Sequence, residues 1–172
     1  MWRVLAALIL LIATIGVGQA QTFQEIDKRE AAVYEAWSAT PLTIRRAVFV
    51  SQHPNGFGQY VERANNEFKK GEKLVTYAEP VGYGWKDVGN GQLQFGFKID
   101  FLIKSPDGKI LAGQENFADI TETSWAKNRE FMVVLTMNLT GAGAGDYVIE
   151  YKLRDIASSK TGSFTQRFKI VE

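Results

Sequence analysis

From Leu93 to Ile103 the chain alternates. Leu93, Phe95, Phe97, Ile99, Phe101 and Ile103 are apolar, and Gln94, Gly96, Lys98 and Asp100 fall between them. A side-chain period of two belongs to a strand with one packed face and one wet face, and a helix with its 3.6-residue period cannot carry it. The same pattern returns in Phe131, Val133, Leu135, Met137 and Leu139. It recurs in Tyr147, Ile149, Tyr151 and Leu153, set against Glu150, Lys152 and Arg154, and in Phe164, Phe168 and Ile170, set against Thr165, Arg167 and Lys169. Weaker runs predict strands over Thr43–Val50, Lys73–Ala78 and Lys109–Ala112.

Turn chemistry separates these runs. Ser105-Pro106-Asp107-Gly108 has proline and glycine where a tight turn uses them, and predicts a hairpin into Lys109–Ala112. Gly89-Asn90-Gly91 and Ser158-Ser159-Lys160-Thr161-Gly162 mark further turns. Seven antiparallel strands in roughly 130 residues predict an all-β sandwich or barrel. No internal repeat or low-complexity linker divides the region, so residues 42–172 read as one domain.

The N-terminal part reads differently. Arg3, the uncharged run Val4–Val17 and the small residues of Gly18-Gln19-Ala20 form the layout of a cleavable signal peptide over residues 1–20. The run is short of the about 20 apolar residues a spanning helix needs, so no membrane span is expected after cleavage. Residues 21–41 hold one expected helix. Phe23, Ile26, Val33, Tyr34 and Trp37 fall roughly on one face between Phe23 and Ser38, and Thr40-Pro41 ends it.

Composition narrows the chemistry. The chain has no cysteine, which excludes disulfides, thiolate metal sites and cysteine nucleophiles. A cysteine-free exported domain fits a bacterial periplasm or secreted fraction. Without Arg3, nineteen lysines and arginines balance nineteen aspartates and glutamates, so no basic stripe is expected to hold nucleic acid. Zinc sites need several His or Cys ligands, and His53 is the one histidine. Asp87, Asn90, Asp107, Asp119 and Glu122 read as loop residues without the spacing of a calcium loop, so no metal and no cofactor is expected. Gly141-Ala142-Gly143-Ala144-Gly145 lacks the Gly-Lys-Ser/Thr ending of a phosphate loop and reads as a flexible connection between strands.

The step Gly145-Asp146-Tyr147 into Val148-Ile149-Glu150-Tyr151 resembles the corner that opens the penultimate strand of immunoglobulin-like and fibronectin-III-like domains. That resemblance implies a seven-stranded antiparallel immunoglobulin-like sandwich preceded by one short helix. It also implies a tyrosine corner, in which the Tyr147 hydroxyl bonds back to the preceding loop. It says nothing of activity.

No catalytic residue is assigned. Function therefore rests on surface aromatics: Phe57 and Tyr60 in the glycine-rich segment Asn55–Tyr60, Tyr83 and Trp85 in Tyr77–Trp85, and Trp125. Aromatic rings on loops of a rigid sandwich bury large area at low entropic cost. The expected function is an exported non-catalytic binding module. It engages a protein or glycan of the cell envelope through these loops or through a free sheet edge. The alternatives are a hydrolase using two of Glu79, Asp87, Asp119 and Glu122, and a structural subunit of an envelope assembly.

Overall fold

The computed structural model describes the backbone of residues 15–172, with side chains from residue 22 onward. The first fourteen residues of the expected signal peptide lie outside the described residues. Helix α1 spans Ile15–Ala39. It is longer than the helix expected over Phe23–Ser38 and runs through the expected cleavage position after Ala20. Phe23, Ile26 and Val33 face solvent. No described helix is long and apolar enough to cross a membrane. Thr40–Glu172 is a separate compact unit containing every strand.

Nine strands build that unit: β1 Thr43–Phe49, β2 Glu67–Lys69, β3 Lys73–Val81, β4 Lys86–Gly89, β5 Gln92–Lys104, β6 Ile110–Ser124, β7 Val133–Asn138, β8 Gly145–Asp155 and β9 Thr161–Val171. β1, β3 and β7 form one antiparallel sheet in the order β1-β3-β7. The second sheet runs β2-β9-β8-β5, with β4 and β6 also paired to β5, and it curls into a half-barrel. All its pairings are antiparallel except β2 with β9. The expected seven-stranded immunoglobulin-like sandwich is thus corrected to nine strands around a curled sheet. Short β2 and β4 supply the additional pairings, and β6 runs twelve residues past the expected Ala112.

Alternation places the core where the pattern requires. Phe97 and Ile99 on β5, Ile149, Tyr151 and Leu153 on β8, and Phe168 and Ile170 on β9 face Leu74 on β3 and Val133, Leu135 and Met137 on β7, all buried. The two ends of this core differ. At one end Tyr83 packs among Phe95, Phe97 and Phe131, with ring centroids 5.7–5.9 Å from its own. Buried Asp155 ties the same end by accepting from the amides of Gly84 and Ala157, while Lys160 Nζ donates to the carbonyls of Thr40 and Gly82. The opposite end is open. There the Tyr147 hydroxyl donates to the Gly143 carbonyl across 2.9 Å, the loop contact the resemblance implied.

Candidate functional site

The five aromatics singled out by sequence do not form one surface. Tyr83 is corrected first: it has no exposed surface, and its hydroxyl donates to the Asn128 carbonyl, so it belongs to the core. Gly82, at φ 83°, turns the chain inward just before it. Trp85 is half-buried beside Tyr83, donates from Nε1 to Asn128 and has Lys127 Nζ 5.9 Å from its ring. Phe57 and Tyr60 lie on the Asn55–Tyr60 loop under Arg45 and Arg46. Trp125 alone is largely open, at 72 % exposure, beside the turn at Gly91.

The Asn55–Tyr60 loop is pinned from below. The Tyr77 hydroxyl accepts the Gly58 amide at 2.8 Å and donates to Glu79 Oε1 at 2.7 Å. Glu79 Oε2 in turn accepts Nε and Nη2 of Arg45. Burial, with a further push from the Glu79 carboxylate, drives the Tyr77 hydroxyl up to about 12 despite the opposing Gly58 hydrogen bond. These groups satisfy one another, which is the signature of an anchor.

The carboxylates of the hydrolase alternative are spread out. Glu79 belongs to the three-stranded sheet, and the other three belong to the six-stranded sheet. Asp119 and Glu122 lie on β6, not in a loop, and three residues apart on a strand they point to opposite faces. Asp87 accepts the Gly89 amide on β4, along the other edge of β5. His53 is exposed, with Nδ1 2.9 Å from the Pro54 carbonyl oxygen. No group of three or more His, Cys, Asp or Glu suited to a metal ion occurs among the described residues.

Two features that the sequence did not single out lie side by side on β6. The first is its outer edge, since among the described residues β6 pairs with β5 alone. From Ala118 to Ser124 its register against Ile99–Leu93 is unbroken, and Trp125 follows directly. From Ile110 to Phe117 the register breaks twice. The larger break is a bulge at Glu115–Phe117, where Asn116 takes φ 51°, its amide donates to Asp100 Oδ1, and Arg154 Nη2 binds both Asp100 and Asn116. The strand carries Glu115, Asp119 and Glu122 and no lysine or arginine.

The second feature is a cleft of about 670 Å³ at the open end, where the edges of β6 and β7 diverge. Phe101, Ile103, Phe117, Met137 and Leu139 line it, and the Gly141–Gly143 loop forms part of its wall. It holds no aspartate, glutamate, histidine, lysine or arginine. No carboxylate, imidazole or ammonium group stands in its wall, and its one phenol, that of Tyr147, donates to the Gly143 carbonyl.

Neither a scan of protein-family models nor a search of curated proteins gives a match to this chain.

Proposed function

We propose that this chain is an exported, non-catalytic binding protein that holds an extended segment of an envelope partner by strand addition along Ala118–Ser124 of β6. The observation that carries the reading is that edge: regular, unpaired among the described residues and flanked by exposed Trp125. Main-chain hydrogen bonds along such an edge supply affinity, and alternate side chains supply selection. Asp119 and Glu122, one on each face, each favour lysine or arginine on that face of a partner strand, and an alternating peptide can meet either of them. The tyrosine-corner bond supports kinship with immunoglobulin-like domains at that one place. A glycan reading finds less support, because Tyr83 is buried and the other aromatics are dispersed.

The test uses a synthetic alternating Lys-Val peptide and an Asp119→Lys/Glu122→Lys variant. The parent chain is expected to bind the peptide and slow amide exchange along Ala118–Ser124, and the reversed variant to lose at least about tenfold in affinity, more at low salt. Unchanged exchange in β6, or equal binding by the variant, removes strand addition from the account.

A further inference from the structure

The open cleft is a different site from the regular part of the β6 edge. We infer that it binds a single alkyl chain carrying an uncharged, hydrogen-bonding head group. Its volume of about 670 Å³ lies within the roughly 300–1,000 Å³ typical of small-ligand sites. Its floor of Phe101, Ile103, Phe117, Met137 and Leu139 offers an alkyl chain dispersion contacts and release from water.

The head group follows from charge. No ionised side chain lines the cleft, so a carboxylate, phosphate or ammonium entering it would lose hydration and gain no counter-charge. The uncharged polar residues at its wall are Gln114, Thr136, Asn138 and Thr140, which suit hydroxyls and amides. The Tyr147 hydroxyl already donates to Gly143.

The floor is also pre-formed. Phe117 meets Phe101 edge to face, with ring centroids 4.9 Å apart. Phe117 closes the bulge at Glu115–Phe117, and Asn116 and Arg154 fix that bulge by their bonds to Asp100. A bulge commonly re-aims one side chain beside a functional site, and here the re-aimed ring is that of Phe117. The same bulge argues against a peptide occupant. Beside the cleft the β6 ladder breaks twice, so an added strand finds no continuous row of partners. An alkyl chain needs none.

The experiment titrates the full chain with octyl, nonyl, decyl and undecyl glucosides, each below its micelle concentration, by calorimetry. Saturable binding is expected to tighten about fourfold with each added carbon, the ratio matching ~0.8 kcal/mol per buried methylene, until the cleft is full. Ala112 lines the cleft and is itself exposed. Ala112→Arg is expected to weaken binding at least tenfold while leaving the Lys-Val peptide bound at Ala118–Ser124. Ala112→Leu keeps the site apolar but narrows it, so the levelling-off should move to a shorter chain. The second variant decides the matter should the first fail to fold. The inference is overturned by absence of saturable binding, by affinity independent of chain length, by wild-type affinity in both variants, or by tighter binding of an alkyl sulfate than of the glucoside with the same chain.

Discussion

Tyr77, Tyr83 and Tyr151 are fully buried, and each stabilises the fold only while its phenol keeps its proton. Burial pushes Tyr77 up to about 12 and pushes Tyr83 and Tyr151 upward as well. In the unfolded chain a tyrosine ionises near pH 10. Below that pH both states are protonated and the contribution is complete. Above it the unfolded chain loses protons first, so stability falls as pH rises toward the folded-state values. The urea midpoint is therefore expected to drop between about pH 9 and pH 11, with a shallower drop in Tyr77→Phe. A flat midpoint across that interval would show that burial does not shift these groups. At neutral pH, Tyr77→Phe strips the Gly58 amide of its acceptor and Glu79 of a donor. The expected cost is about 1–3 kcal/mol by urea denaturation, with faster amide exchange at Gly58.

Strand β5 shows how an element was legible while its neighbour was not. Its alternation spelled out the buried face, and its bounds lie within a residue of Leu93–Ile103. All seven expected strands occur, and the clearest of them, β5, β7, β8 and β9, alternate between a packed and a wetter face. β6 does not: it is an edge strand, exposed through its first half, so no pattern announced its course beyond Ala112, and Asp119 and Glu122 read as loop residues. β2 and β4 are too short to show a period. Tyr83 read as surface because its neighbours Pro80, Gly82 and Gly84 have the composition of a loop. The cleft had no signal of its own, since it forms where edges from two different sheets part. What joins β5 to β6 can be tested at one glycine. Gly96 sits at φ 148°, and a Cβ there would lie 2.0 Å from the Ile120 carbonyl oxygen. Gly96→Ala is expected to cost at least about 3 kcal/mol and to expose the β6 amides to exchange. Gly113→Ala is the comparison. A Cβ there meets first the flexible end of Leu102, at 2.6 Å, so the loss should be clearly smaller. Equal losses would mean that backbone approach at Gly96 is not what sets the register.

For the molecule as a whole, the two sites place opposite demands on β6. The regular edge must stay open to a partner strand, yet an open edge also invites a second copy of the chain to pair with it. Charge separates these outcomes. Two copies meeting along β6 would bring the carboxylates of both strands, Glu115, Asp119 and Glu122 in each, to one seam, with no lysine or arginine on either strand to offset them. A basic partner strand meets no such repulsion. Removing the charge while keeping strand propensity should therefore convert a selective edge into a self-pairing one. The variant Glu115→Gln/Asp119→Thr/Glu122→Thr is expected to dimerise in sedimentation equilibrium at concentrations where the parent is a monomer, and to bind the Lys-Val peptide more weakly. High salt should move the parent in the same direction, because the opposing charges are exposed and screened within about a Debye length. If the parent already dimerises at low salt, these carboxylates do not guard the edge. If the neutral variant stays monomeric, the edge is closed by something other than charge. In either case selection of a basic partner would have to rest on Trp125 and the shape of the edge.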